Sequence, residues 1–276
     1  MKIGITTFVT DEGISGPKLG AALEERGFES LFLAEHSHIP ASRRSPAPGG
    51  GELPRPYYRA VDPFVALAAV AAVTERLILG TGVTLLVQRD VIHTAKQVAT
   101  LDLISGGRFV FGVGTGWNRE EMTDHGTDPR TRGALLDEQL DAIRAIWTDE
   151  LAEFHGRFID FEPMYAWPKP VQQPHPPIFL GGAAAAAERA IRHGVGWIPA
   201  AVTDPAEIPA QLSRLHGHDL PVTVAFVATD PALIDGYAEA GVQRLLFGLP
   251  TLPEPETLHA LDAIAKVAGQ YLVGGP

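Results

Sequence analysis

No cysteine occurs among the 276 residues, which excludes a disulfide framework, a thiolate metal site and a cysteine nucleophile. Lysine is scarce: Lys2, Lys18, Lys96, Lys169 and Lys266 are the whole complement. None falls at the C-terminal end of a predicted strand, where a Schiff-base aldolase needs a desolvated amine. Basic residues as a class number 22 against 33 acidic ones, a formal net charge of -11. Such a balance argues against non-specific nucleic-acid binding and leaves small anionic ligands open. Long apolar runs are also missing. The longest, Phe64–Val73, has 10 residues, about half of the ~20 that a bilayer requires, so no membrane association is expected. The opening MKIGITTF carries no basic region followed by an apolar segment, so a cytoplasmic protein is expected.

What is present is a regular alternation. Apolar or β-branched runs at Lys2–Phe8, Ser30–Glu35, Leu77–Thr84, Arg108–Gly114, Ile178–Gly181, Gly196–Pro199, Val222–Ala228 and Leu245–Gly248 alternate with helical patterns. Eight such repeats predict an α/β fold, a (β/α)8 TIM barrel, with residues 1–276 as one domain. The strands are nearly continuous hydrophobic runs, as parallel strands covered on both faces should be. A doubly wound open sheet is the alternative. Asp62-Pro63, Asp204-Pro205 and Asp230-Pro231 each offer a capping carboxylate before a proline at the first helical position. Two connections are long. Residues 37–59 follow the second strand and belong to the C-terminal mouth, where barrel chemistry sits. Residues 149–177 carry Phe154, Phe158, Phe161, Tyr165 and Trp167 and are expected to pack back as an inserted segment that walls the pocket.

Several strand ends carry residues suited to chemistry. Glu35 and His36 close the second strand, where an imidazole can serve as a general base and a carboxylate can bind a ligand or tune the histidine. His36-Ser37-His38 has the spacing of a barrel metal site, but the fifth, sixth and eighth strands end in Gly181-Gly182, Ile198-Pro199 and Gly248-Leu249, which add no ligand, so no metal is expected. Gly80-Thr81-Gly82-Val83 ends the third strand and reads as a rim bulge or as backbone stripped for a flat ligand. Gly112-Val113-Gly114-Thr115-Gly116 lacks the last glycine of a dinucleotide motif, since Trp117 follows. Gly181-Gly182 precedes a helix that opens at Ala183, an arrangement that presents backbone N–H groups to an anion.

The segments GFESLFLAEH, YYRAVDPFVALAAVAAVTERLILGTGV, AKQVATLDLISGGRFVFGVGTGWNREE, FHGRFIDFE, PKPVQQPHPPIFLGG and HGVGWIPA together resemble the luciferase-like monooxygenase superfamily, most of all its coenzyme F420-dependent branch. The resemblance runs from Lys2 to about Pro199. It implies a TIM-type barrel that binds a deazaflavin, or alternatively FMN, at its mouth, and a non-prolyl cis peptide at Gly82–Val83. It further implies that Gly82, Val83 and Thr84 back the ring, and that Gly114, Thr115, Gly116 and Trp117 line the cofactor site. Gly181, Gly182 and Ala183 would receive a phosphate, His36 would exchange a proton, and Glu35 would contact the ring. A small-molecule substrate and a homodimer are implied as well. Trp117 stands where the glucose-phosphate dehydrogenases of this branch carry an acid, which points to an apolar or aromatic substrate rather than a sugar. Arg43, Arg44 and Arg55 are expected to meet an acidic cofactor tail.

Overall fold

The computed structural model describes residues 1–200, 202 and 204–272. Residues 273–276, the end of the expected domain, lie outside the described residues. Eleven strands are described: β1 (Lys2–Thr7), β2 (Ser30–Leu33), β3 (Ile78–Thr81), β4 (Thr84–Leu85), β5 (Phe109–Gly114), β6 (Ala152–His155), β7 (Asp160–Met164), β8 (Ile178–Gly182), β9 (Gly196–Pro199), β10 (Thr223–Val227) and β11 (Arg244–Gly248). All but β6 and β7 form one parallel sheet in the order β10-β11-β1-β2-β3-β5-β8-β9, with β4 continuing β3 alongside β5. The sheet curls until Trp197 of β9 bridges Val222 beside β10, and the Trp197 N–H donates to the Pro221 carbonyl at 2.9 Å. The result is a nearly closed TIM barrel. The expected third strand, Leu77–Thr84, is two strands, β3 and β4, with the cis Gly82–Val83 peptide at their join.

The helices are α1 (Gly16–Glu25), α2 (Pro56–Arg59), α3 (Pro63–Ala71), α4 (Val91–Ser105), α5 (Arg119–Asp124), α6 (Arg132–Thr148), α7 (Ala184–His193), α8 (Ile208–Leu212), α9 (Pro231–Glu239) and α10 (Glu254–Ala268). Capping residues set several starts. Asp62 accepts the Val65 N–H at 3.0 Å, Asp90 the His93 N–H at 2.7 Å and Asp204 the Ala206 N–H at 2.8 Å, each satisfying a donor that the first turn leaves free. α4 stops at Gly106, which has φ 66°, a left-handed geometry that glycine adopts at little cost. The helix expected to start at Pro205 is instead a short α8 between two 3-10 turns, with Pro209 removing one N–H from the segment.

The main core lies between the sheet and the helix ring, and a smaller one fills the barrel interior with Phe32, Val110, Phe179, Ile198 and Leu246. Inside, large rings meet missing side chains. Phe32 occupies the space a Cβ on Gly80 would take, and Phe179 does so at Gly196.

The aromatic segment lies elsewhere than expected. α6 runs antiparallel to the strands, so the chain after it starts from the N-terminal face of the barrel. There β6 and β7 pair as an antiparallel hairpin whose turn is held by Glu138, which accepts the N–H groups of Arg157, Phe158 and Ile159. Gln172 then reaches Asp102, near the end of α4, and the Phe109 carbonyl at the start of β5. Tyr165 and Trp167 are exposed. This segment therefore braces the flank and base of the barrel and does not wall its mouth.

Candidate active site

The mouth is built at the C-terminal ends of β2, β3, β5 and β8. Glu35 and His36 follow β2 as consecutive extended residues, so their side chains diverge. Both are buried. The Glu35 carboxylate turns toward β4: it accepts the Leu85 N–H at 2.6 Å and is clamped by the Arg89 guanidinium, whose Nε lies 2.7 Å away. Arg89 also donates to Asp62, the cap of α3, at 2.8 Å. Burial works against the Arg89 charge, but Glu35 and Asp62 outweigh it and hold its pKa above the usual value. Glu35 is thus spent on fixing the backbone directly after the Gly82–Val83 bond.

His36 turns the other way. Its Nδ1 lies 2.8 Å from Oε2 of Glu121, a side chain with no exposed surface. Ser37 N–H donates to the other oxygen, Oε1, at 3.0 Å. Burial pushes the Glu121 carboxyl up, yet the His36 imidazole and the backbone N–H groups of Ser37 and His38 outweigh it and hold the group below the usual carboxylate range. An ionised Glu121 can only accept, so Nδ1 carries a proton and Nε2 is the ring nitrogen left to exchange one. The carboxylate on the histidine is therefore Glu121 from α5, 85 positions away, rather than the adjacent Glu35. Asn118 caps α5 by accepting the Glu121 N–H at 3.3 Å, which sets Glu121 on the first turn. The N-x-x-E spacing of Asn118 and Glu121 is the sequence signal for it.

Around His36 stand Tyr57 at 5.3 Å and Trp117 at 5.6 Å between ring centroids, the latter edge-on at 66°. Phe8 stacks behind Tyr57 at 4.5 Å. Burial raises the Tyr57 hydroxyl pKa. The imidazole thus lies in an aromatic setting, with Trp117 also lining a cavity of about 860 Å³ that the loop 44–48 covers from the other side. That loop is tied down by Glu120, which receives the Ser45 hydroxyl and pairs with Arg44 at 3.3 Å.

The glycines at the strand ends are not simply bare backbone. A Cβ on Gly114 would lie 2.8 Å from Val83 Cγ2, and one on Gly181 would lie 2.6 Å from Val83 Cγ1. One on Gly112 would overlap the Thr81 carbonyl oxygen. The bulge at Gly82–Val83 swings Thr81 and Val83 toward β5 and β8, and the glycines make room for that swing. The space next to Gly112, Gly114 and Gly181 is filled by Thr81 and Val83 of the chain itself. Val83, Thr115, Gly116, Trp117, Gly181 and Gly182 keep part of their surface open at the mouth, while Thr84 is buried and Ala183 is exposed. Two buried polar atoms there, Thr84 Oγ1 and Gln88 Nε2, have no partner among the described residues, and Gln88 Nε2 lies 3.7 Å from where a Cβ on Gly116 would stand.

Beside Thr115 opens a recess of about 490 Å³ lined by Arg119, Arg130, Arg132 and Arg189, with Gly133 and Ala185 between them. Gly133 lacks the Cβ that would collide with the Arg189 guanidinium. Arg189 pairs with Asp137 at 3.1 Å and Arg130 with Asp128 at 2.7 Å. Arg119 and Arg132 have no side-chain partner among the described residues. No side chain caps α7 after Ala183, so its first-turn N–H groups add to this positive rim. Of the arginines singled out from the sequence, Arg55 donates to Glu12 at 2.7 Å and Arg43 lies over the Tyr58 ring at 5.8 Å, while Arg44 pairs with Glu120 and lines the mouth cavity. The four recess arginines went unnoticed in the sequence because they come from three separate segments.

Residues 16–242 match the family model for luciferase-like monooxygenases. The chain belongs to this family. Among its relatives is an uncharacterised protein of Mycobacterium tuberculosis, 40% identical over 278 residues that cover 96% of this chain and 98% of the relative. A second is the FMNH2-dependent dimethylsulfone monooxygenase of Pseudomonas putida, 31% identical over 187 residues, or 63% of this chain and 49% of that protein. Among solved structures, an F420-dependent secondary alcohol dehydrogenase in complex with an F420–acetone adduct superposes with a TM-score of 0.74 at 16% identity, over 97% of this chain and 98% of the other. That likeness shows the barrel fold.

Proposed function

We propose that this luciferase-like protein is a coenzyme F420-dependent oxidoreductase that moves a hydride between the deazaflavin and a small organic substrate. The observation that carries the reading is the buried His36–Glu121 pair at the barrel mouth, facing Tyr57 and Trp117. Storage of a cofactor needs no oriented base, whereas oxidation of an alcohol, or its reverse, needs a group that takes or gives one proton as the hydride moves. When bound, the deazaflavin supplies the hydride acceptor or donor. His36 Nε2 takes the substrate hydroxyl proton, and Glu121 holds the ring in the tautomer that permits this. Glu35, through Leu85 N–H and Arg89, keeps the Gly82–Val83–Thr84 backing in place. Gly114 and Gly181 let Val83 sit where the ring would lean, and Thr84 Oγ1 and Gln88 Nε2 offer unspent hydrogen-bonding capacity to its polar edge. Gly116 and Trp117 flank it. Gly182, Ala183 and the Arg119–Arg132 recess would hold the phosphate and acidic tail. Tyr57 and Trp117 favour an apolar or aromatic substrate.

A reduced-flavin monooxygenase using FMN is the second reading, favoured by the dimethylsulfone monooxygenase relative. The two separate in one experiment, fluorescence titration of the purified protein with F420 and FMN in parallel. Tighter F420 binding supports hydride transfer. Tighter FMN binding replaces it with oxygen chemistry, and binding of neither removes both. A homodimer in the cytoplasm completes the proposal. The outer face of α3 presents Val65, Ala68 and Ala69, followed by Ala72 and Val73, all apolar and at least partly exposed. No helix among the described residues is long and apolar enough to cross a membrane.

A further inference from the structure

His36 borders a second cavity, of about 350 Å³, together with Ser37 and His125 and with Glu35, Asp62, Leu85, Gln88 and Arg89. Ser37 and His125 are exposed, so solvent reaches the cavity beside them. A hydrogen-bonded series runs along it. His36 Nδ1 meets Glu121 Oε2 at 2.8 Å, and Glu121 Oε1 lies 3.4 Å from Ser37 Oγ. Ser37 Oγ is 2.6 Å from His125 Nε2 and 2.9 Å from His38 Nδ1, and His38 Nε2 is 3.0 Å from Asp124 Oδ2.

Any reaction that moves a hydride from an alcohol leaves one proton behind for each turnover. We propose that proton exchange between His36 and solvent runs from Nδ1 through Glu121 and Ser37 to the exposed His125. This rests on the reading of His36 as the proton-exchanging group. One proton enters at His36 Nε2 from the substrate hydroxyl, and the Nδ1 proton passes to Glu121 Oε2. The carboxylic acid so formed turns about its Cγ–Cδ bond and gives the proton to Ser37 Oγ, whose own proton moves to His125 Nε2. His125 then releases its Nδ1 proton to water. One proton enters, one leaves, and no electron moves along the path. The hydrogen bonds that favour the Glu121 carboxylate make its protonated form costly and short-lived, so the proton is passed on and not retained. His38 with Asp124 forms a side branch from the same hydroxyl. The Glu35–Arg89–Asp62 cluster faces the cavity but is internally paired and hands nothing on.

The test uses Ser37→Ala and His125→Gln, both at exposed positions. In the purified protein without cofactor or substrate, NMR reads the exchange of the His36 Nδ1–H with solvent. Exchange slowed about tenfold or more in both variants, or a resonance that emerges only in them, is the expected result. In the loaded enzyme the same variants should lower kcat in dilute buffer and recover it when imidazole buffer is added. Identical exchange in wild type and both variants overturns the route. Because the NMR arm involves no cofactor, slowed exchange in a protein that binds neither F420 nor FMN would leave the route standing and remove only the proposed reaction.

Discussion

At the scale of single residues, the His36–Glu121 pair makes the sharpest demand. His36→Ala should lower kcat by about 10²- to 10⁴-fold, the usual worth of a positioned general base, while the cofactor dissociation constant stays within about threefold. Glu121→Gln should lose a comparable share of kcat, because a neutral amide no longer enforces the Nδ1–H tautomer, and Glu121→Asp should restore part of it. Steady-state kinetics beside a cofactor titration check both, and an unimpaired His36→Ala variant ends the assignment. A second pair is structural. Glu29 and Arg244 meet at 2.8 Å with side chains only 14% and 9% exposed. Burial pushes the Glu29 carboxyl up, but the Arg244 hydrogen bonds and charge outweigh it and hold the pKa below the ordinary glutamate value. A depressed carboxylate pKa gives stability that is whole above the unfolded-state value and is lost as pH falls through the lower folded-state value. Arg244→Met leaves the buried Glu29 with only the exposed Lys2 ammonium, 3.4 Å away, as a charged partner, at a cost of up to about 3–5 kcal/mol near neutral pH. Denaturant titrations should show that cost shrinking on acidification, since the carboxyl can then take up a proton. A pH-independent loss would mean the ion pair is not its source.

At the scale of elements, the join between β3 and β4 organises the mouth, and its packing can be measured. Gly181→Ala places a methyl against the branched Val83 side chain, which has no slack to yield, and should destabilise by about 1–3 kcal/mol. Paired with Val83→Ala, most of that cost should vanish, giving a coupling above about 0.5 kcal/mol in a double-mutant cycle. Strict additivity would show that Gly181 is small for another reason. This join also marks the limit of what the sequence discloses. The barrel is legible because its strands are continuous apolar runs and because Asp62 and Asp204 announce their helices. The glycines were legible as unusual, but a missing Cβ looks the same in sequence whether a ligand or Val83 fills the gap. Glu121 was hidden for a similar reason. Nothing local separates it from Glu120, and only the Asn118 cap fixes which of the two turns inward toward His36 and which ties down the covering loop. The β6–β7 hairpin escaped notice because its residues are mostly exposed and show no inward-facing stripe. The aromatic residues there suggested a pocket wall only until the direction of α6 placed them at the base.

At the scale of the whole molecule, the apolar outer face of α3 gives a direct test of assembly. A stable interface buries on the order of 1,200–2,000 Å², and a charge at its centre is costly. Val65→Asp with Val73→Asp should shift the protein from dimer to monomer in analytical ultracentrifugation while leaving its circular dichroism intact. A wild-type monomer would refute the dimer, and a dimeric double variant would move the contact elsewhere. The barrel interior carries a different consequence, one of heredity. Phe32 lies in the place that Gly80 leaves vacant, and Phe179 in the place left by Gly196, so each ring and its glycine share a single volume. Neither partner can drift alone: a side chain gained at Gly80 requires the Phe32 ring to shrink in the same lineage, and a smaller residue at Phe32 opens a hole that only position 80 can close. Across the descendants of this sequence the two positions should therefore change together or not at all, leaving a paired signature in any sufficiently deep collection of relatives.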